Sequence, residues 1–318
     1  MMPIGGPIGP GSGGSERAVP EPGTSGGQIG QGSADPERSV PESGFSTVVA
    51  AGTVIDAEGL HYRELNARIR AGVGRGERSF RLLNVRGHRY IGAGLPAGVE
   101  IAIEGVPGND LACFMAGARI TVAGNAQDGV GNTMEGGIVV VRGSLGDLPG
   151  YAMRGGRIFV SGDAGYRVGI HMKEYRTSVP AIVIGGRVQD YLGEYMAGGT
   201  IIVLGMPALA VPMAKEPAPA FGPANAVTGL PGSAGKPAEF IGTGMHGGEI
   251  WIRGPVQPWQ VGAEVGTVEA DAAAWARLST LLAEFCRETG VDGSGFNRSQ
   301  FTRLKPVSLR PYGRIYVY

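Results

Sequence analysis

Methionine recurs along this chain at a fixed spacing. A glycine or a substitute for it stands three residues before each repeated methionine, and in the regular copies another glycine follows nine residues after it. The first four repeated methionines are nineteen residues apart, and two more complete the ladder: Met115, Met134, Met153, Met172, Met196 and Met245. A period near twenty residues is typical of a solenoid, in which each repeat buries its apolar side only by stacking on the next.

The residues that follow each methionine alternate in character. The fifth and seventh positions are branched and aliphatic, as in Ile120 with Val122 or Ile250 with Ile252, whereas the fourth, sixth and eighth positions vary. An alternation with a period of two predicts a β-strand with one face turned inward. We therefore expect an all-β solenoid of parallel strands, lined by ladders of isoleucine, valine and methionine.

Glycine pairs follow four of the methionines at one offset, at 136–137, 155–156, 198–199 and 247–248. Glycine adopts a positive φ at little cost, so these pairs predict corners where the chain turns from one face to the next. The Gly-x-Gly triplets do not open a helix after a strand, so they do not predict a dinucleotide site.

The chain divides into four predicted segments. Residues 1–44 hold few large apolar side chains and predict a disordered low-complexity tail, in which SERAVPEPG and PERSVPESG are either compositional drift or a duplicated docking peptide. Residues 45–86 predict an N-terminal cap region with a short helix in LHYRELNARIRA, and Leu83 and Val85 are expected to point inward in a first, degenerate coil. Residues 87–256 predict the solenoid with a Pro/Ala-rich insertion at 207–239, and residues 257–318 a C-terminal cap helix, in ADAAAWARLSTLLAEFCRETG, and a tail.

Composition argues against several functions. The 28 Lys and Arg balance the 28 Asp and Glu, which predicts neither a nucleic-acid nor a membrane partner. No long apolar run or signal sequence occurs, so a cytoplasmic location is expected. The 2 cysteines are too few for an iron–sulfur cluster, the 4 histidines lack metal spacing, and HExxH, GxSxG and CxxC are absent. We therefore predict no catalytic, cofactor-binding or metal site in this chain.

One coil departs from the repeat. Five extra residues lie within HMKEYRTSVPA, so a charged loop is expected to project from the solenoid. Two interpretations remain open: the polar residues only solvate this loop, or they form a partner interface or line a channel for a polar small molecule. The candidate residues are Arg167, His171, Lys173, Glu174, Tyr175 and Arg176.

The sequence resembles a known family. The segments GNAQDGVGNTMEGGIVVVRGSLGDLPGYAMRGGRIFVSGDAGYRVGIHMKEY, GEYMAGGTIIVLG and TGMHGGEIWIRG closely resemble the stand-alone form of the glutamate synthase C-terminal domain, the GXGXG domain. The likeness runs over about 84–254, includes the irregular coil, and resumes in the closing RPYGRIYVY. It implies a right-handed, single-stranded parallel β-helix of about seven coils with short flanking cap helices. A related β-helix forms one of the subunits of formylmethanofuran dehydrogenase.

The resemblance also implies a function. The chain would be a non-catalytic scaffolding subunit of a glutamate synthase-like oxidoreductase, in a hetero-oligomer whose amidotransferase subunit and FMN and iron–sulfur subunit carry the chemistry and exchange ammonia through the protein interior. An amidotransferase of this type needs a cysteine as residue one, and neither cysteine of this chain is in such a context. Two alternatives stay open: a β-helix subunit of a one-carbon formyl-transfer complex, and a self-contained enzyme with a site near His171 and Glu174.

Overall fold

The computed structural model describes residues 52–206 and 237–307. The predicted tail at 1–44, most of the predicted insertion and the closing residues 308–318 lie outside these ranges. Within them, no helix is both long enough and apolar enough to cross a membrane.

Parallel strands stack in chain order to form a solenoid. They are β1 (Thr53–Asp56), β2 (Ser79–Arg86), β3 (Glu100–Val106), β4 (Ala116–Val122), β5 (Gly136–Val141), β6 (Arg157–Val160), β7 (Ala181–Ile184), β8 (Ala197–Val203) and β9 (Gly247–Arg253). Equivalent repeat positions pair in register, so Ile101 lies beside Ile120, then Val139, then Ile158. The parallel β-solenoid is confirmed, with a coil count that differs slightly from the expected seven.

The interior is built from the predicted ladders. All six ladder methionines are fully buried, and so are the inward pairs of each regular strand, such as Ile158 and Val160. The second glycine of each predicted corner has a positive φ, from 82° at Gly156 and Gly248 to 95° at Gly137. The sequence therefore correctly predicts both the core and its corners.

The N-terminal region contains a helix that packs on the core and a strand, β2, whose register differs from the prediction. Helix α1 (Tyr62–Gly74) buries Leu65 and Ile69 in the same hydrophobic cluster as the solenoid ladders. In β2 the inward residues are Phe80, Leu82 and Val85, because the pairing shifts between Leu82 and Val85. The expectation that Leu83 points inward is wrong, because this shift moves the strand out of simple alternation.

The C-terminal helix forms where expected but does not close the end of the solenoid. Helix α2 (Ala272–Thr289) begins at Asp271, whose side chain accepts the Ala274 N–H at 2.8 Å, and ends at Gly290 with φ 79°. Its apolar side packs on the flank of the coils, against the sixth repeat position, which is apolar in five strands: Val140, Phe159, Val183, Ile202 and Trp251.

An antiparallel pair of strands covers the last coil instead. Strand β11 (Phe301–Pro306) pairs antiparallel with β9, and β10 (Val265–Val268) pairs with β11. Short 3₁₀ turns at Pro258–Gln260 and Arg298–Gln300 lead into this region. The exposed backbone edge of β9 is thereby satisfied by hydrogen bonds, which a solenoid end requires.

Candidate functional site

The six residues that precede Leu95 and each of the six ladder methionines form one continuous surface, here named the corner face. It comprises residues 89–94, 109–114, 128–133, 147–152, 166–171, 190–195 and 239–244. Backbone hydrogen bonds join successive coils with an offset of one residue; for example, the N–H of Asp110, the second residue of its stretch, donates to the C=O of Asp128, the first residue of the next, at 2.9 Å. Side chains at equivalent positions therefore form columns across the coils.

The backbone of the corner face alternates between left-handed and ordinary conformations. The second, fourth and sixth residues of each stretch have positive φ, as in Arg167 (60°), Gly169 (70°) and His171 (55°). The residue between the first two of these points inward, so Val168 is fully buried. Glycine recurs at the fourth position because an isoleucine from the strand of the following coil lies against it. For example, a Cβ on Gly193 would lie 2.6 Å from Cδ1 of Ile250 in β9.

Arg167 lies on the corner face and has structural partners there. Its Nη1 lies 2.6 Å from Oε2 of Glu194, a carboxylate whose side chain is only 8% exposed. Its guanidinium also lies over the ring of Tyr191 at 4.7 Å, and that ring stacks on Phe240 with centroids 4.9 Å apart. Arg167 thus neutralises a buried carboxylate and extends a stack of rings.

His171 lies on the same face, between two tyrosines. Its ring stacks on Tyr195 with centroids 5.2 Å apart and meets Tyr151 edge-on at 6.0 Å. In the described part of the chain, its imidazole makes no hydrogen bond to a carboxylate. The contacts of His171 are therefore those of a packed aromatic ring, without the orienting partner that a general base requires.

The five extra residues of the irregular coil form a tight hairpin. Tyr175 and Ser178 exchange backbone hydrogen bonds of 3.0 and 2.9 Å, and Arg176 has φ 55° with its guanidinium 5.0 Å from the Tyr175 ring. Glu174 fixes this hairpin to the solenoid, since its Oε2 accepts the N–H of Gly199 at 3.1 Å.

An open cleft of about 550 Å³ lies beside the hairpin. Its lining includes Arg154 and Lys173, which follow the ladder methionine in successive coils, together with Glu135, Tyr175 and Ser178. Thus the structure divides the predicted set: Arg167 and His171 belong to the corner face, and Lys173 and Tyr175 line the cleft. The six candidates do not converge on one pocket.

A second groove, of about 760 Å³, runs between α2 and the first residues of β7, β8 and β9. Its floor includes Gly199 and Gly248, and one wall carries Leu281. Arg157 bridges the solenoid to the helix there, with Nε 3.3 Å from Oε2 of Glu284. The sequence did not predict this groove, because it requires α2 on the flank.

One carboxylate inside the coil corners has a shifted pKa. Burial raises the pKa of Asp163, against the opposing effects of the Arg187 backbone N–H and the Arg187 charge. That N–H donates to Oδ1 of Asp163 at 2.7 Å, and one coil earlier Oγ of Ser144 accepts the N–H of Asp163 at 3.0 Å. This column of side-chain acceptors stabilises the stacking of coils.

Neither cysteine has the lowered pKa of a reactive thiol. Burial, with a smaller effect of Asp110, raises the pKa of Cys113 to about 11, and burial also raises that of Cys286. Reactive cysteines have lowered pKa values, so both thiols fit packing roles. Across 52–206 and 237–307, no three His, Cys, Asp or Glu side chains are placed to hold a metal ion.

Sequence reasoning missed the aromatic character of the corner face. Several of its rings are exposed, and the largest exposed fractions are those of Phe114, Phe240, Tyr166, Tyr90 and Tyr151. The sequence does carry a signal for this surface: aromatic residues recur in the six positions before the methionine.

Comparison with known proteins agrees with this architecture. The GXGXG motif family model matches residues 77–296, which include the solenoid strands β2 to β9 and α2. An uncharacterized protein of Methanocaldococcus jannaschii is 41% identical over 269 residues, covering 83% of this chain and 95% of that relative. The chain therefore belongs to the GXGXG motif family and is related to the C-terminal domain of glutamate synthase.

Proposed function

We propose that this chain is a non-catalytic scaffolding subunit of a glutamate synthase-like oxidoreductase. The amidotransferase and the FMN and iron–sulfur centres of that complex reside on partner subunits, and this chain holds those subunits together. Membership of the GXGXG motif family supports the relationship to glutamate synthase. The subunit role is our inference from the arrangement of its polar side chains.

The observation that carries this proposal is the dispersal of the reactive side chains. Arg167 is paired with Glu194, Glu174 accepts a backbone N–H, and His171 is packed between tyrosines. A catalytic site needs a nucleophile, a base and an orienting group within hydrogen-bond reach of one another. These contacts stabilise the coils and do not create such a group.

The packing of the core bears on how ammonia would travel in such a complex. The ladder methionines and the inward isoleucines and valines are fully buried, and the corner glycines have no room for a methyl group. Among the described residues, packing this close argues against a passage along the solenoid axis. We therefore place any ammonia passage at the surface, between this chain and its partners.

Affinity isolation of the tagged full chain from its native host tests the proposal. We expect recovery of a flavoprotein with iron–sulfur cysteines and of an amidotransferase-like chain, in fixed ratio with this chain. Recovery of formyl-transfer subunits would instead establish the one-carbon alternative. Turnover of glutamine or an ester by the purified chain alone, abolished in His171→Ala, would overturn the scaffolding role.

A further inference from the structure

We propose that the corner face is the surface on which this chain receives its partner, and that the partner presents arginine and lysine side chains to it. This inference rests on the proposed scaffolding function and specifies which surface performs it. Three features of the described residues lead to it: the distribution of exposed rings, their ordered stacking and the charge beside them.

The exposed aromatic side chains are concentrated on this face. In the described part of the chain, two strongly exposed aromatics lie outside it: Tyr175 of the hairpin, and Trp259, which is 58% exposed and lies two residues before Val261, the bridge partner of Ile241. The remaining exposed rings are Tyr90, Phe114, Tyr151, Tyr166 and Phe240. Solvent-exposed rings gathered on one surface are typical of protein interfaces.

The rings are held in fixed positions before any partner binds. Tyr191 and Phe240, both second in their stretches, stack with an interplanar angle of 11°, and His171 and Tyr195, both sixth, stack at the same angle. A side chain that is already ordered loses little conformational entropy on association. Such rings are suited to act as the anchors that dominate interface affinity.

Carboxylates line the edge of the face beside the rings. Asp128, Asp147 and Asp190 occupy its first column, and Oδ1 of each accepts a backbone N–H of the next coil at 2.8 to 2.9 Å. The Oδ2 atoms of these three residues have no ion pair or hydrogen bond in the described part of the chain. Among the residues described, the face carries two arginines: Arg89 in its first stretch, and Arg167, which is already neutralised by Glu194.

Aromatic rings beside carboxylate oxygens indicate which side chains the partner presents to this face. A guanidinium can stack on a tyrosine or phenylalanine ring while it pairs with a carboxylate, and a lysine can make the ion pair. An acidic partner would be repelled by the same column. The flank of the coils is already covered by α2, so it does not compete for this occupant.

Two sets of variants test the assignment in the isolated native complex. Tyr151→Ala with His171→Ala removes exposed rings, and Asp128→Asn with Asp147→Asn and Asp190→Asn removes charge but keeps the oxygen that accepts each backbone N–H. Val54→Ala and Asp292→Asn are controls at exposed positions away from the face. A thermal melt of each variant identifies any that fail to fold.

We expect the ring variant to raise the Kd for the partner at least about tenfold. The Asn variant should raise Kd and flatten its dependence on salt, whereas the controls should leave Kd unchanged. Suppose that the wild-type chain binds the flavin and amidotransferase subunits and that both folded variants bind them equally well. The assignment of the corner face as the interface is then overturned, and the scaffolding role stands. If the partner belongs to another class of protein but its binding is lost in the same variants, the scaffolding role is overturned and the assignment of the corner face as the interface stands. A wild-type chain with no partner overturns both.

Discussion

Gly131 and Ile158 pack so closely that no methyl group fits between them. A Cβ on Gly131, whose φ is +71°, would lie 2.5 Å from Cδ1 of Ile158. One coil earlier the equivalent glycine is replaced by Ala112, and the residue in the place of the isoleucine is Val139, which has no Cδ1. The volume of the corner residue is thus matched to that of the strand residue behind it.

This match predicts the effect of Gly131→Ala. The variant combines a left-handed alanine with overpacking against Ile158, so we expect the free energy of unfolding to fall by about 2 to 4 kcal/mol. Ile158→Val removes the crowding methyl group and should restore part of that loss. Urea denaturation of the two single variants and the double variant measures the coupling.

Gly94→Ala is the matched control for strain alone. Gly94 has φ +66°, and no atom lies within 4 Å of the position of an added Cβ. Its substitution should therefore cost about 1 to 2 kcal/mol, without rescue by a smaller strand residue. Equal losses in Gly131→Ala and Gly94→Ala would contradict the packing argument.

The methionine ladder makes a second prediction. Met153 is fully buried, so Met153→Ala should leave a cavity and lower the free energy of unfolding by about 2 to 5 kcal/mol. Met153→Leu conserves volume and should cost less than about 1.5 kcal/mol. If chemical denaturation shows the two variants to be equally stable, Met153 does not fill the core as described.

The ion pair that attaches β11 to β9 makes a third prediction. Nη2 of Arg303 lies 2.8 Å from Oε2 of Glu249, and the two side chains are only 6% and 13% exposed. Arg303→Ala leaves a poorly solvated carboxylate without a partner, so we expect a loss of about 3 to 5 kcal/mol in thermal or urea unfolding. Adding Glu249→Gln removes the unpaired charge and should recover part of this loss.

An exposed pair provides the comparison. Arg68 pairs with Glu64 within α1, and both side chains are about half exposed. Arg68→Ala should change the free energy of unfolding by less than about 0.5 kcal/mol. A loss comparable to that of Arg303→Ala would show that burial is not what distinguishes the two pairs.

The buried Asp163 predicts a pH dependence. Burial raises the pKa of Asp163 above its ordinary value, so the folded state takes up this proton more readily than the unfolded chain. Its contribution to stability is therefore greatest at low pH and is lost as pH rises through the folded-state pKa. Asp163→Asn keeps an acceptor for the Arg187 N–H and should be more stable than wild type at neutral pH. Thermal melts down to about pH 4 should show this difference shrinking, and a difference that grows would contradict the assignment.

Much of the fold was predictable because it follows from the repeat. The period, the inward Ile and Val positions and the corner glycines each recur at one offset, so several copies support every inference. The position of α2 depends on a second pattern, the apolar sixth residues from Val140 to Trp251, that only five strands share. The register shift in β2 lies between Leu82 and Val85, whereas the shifts of the β4–β5 and β8–β9 pairs lie at glycine corners, so the periodic pattern does not predict it.

The functional surface was less predictable, because its contacts join residues of different coils. The pairing of Arg167 with Glu194 and the stack of His171 on Tyr195 span 27 and 24 positions of the sequence. A break in the repeat marks the charged residues of the irregular coil, whereas no break marks the rings of the regular coils. Their common surface emerges only when the coils are stacked in register.

The most direct test of the central claim is the mass and visible spectrum of the complex that this chain forms in its native host. Size-exclusion chromatography with mass detection, followed by identification of each chain, should give one hetero-oligomer with flavin and iron–sulfur absorbance. Glutamine-dependent glutamate synthesis should be associated with that species and be lost when this chain is removed. A stable homomer without flavin or iron–sulfur absorbance would contradict the scaffolding role.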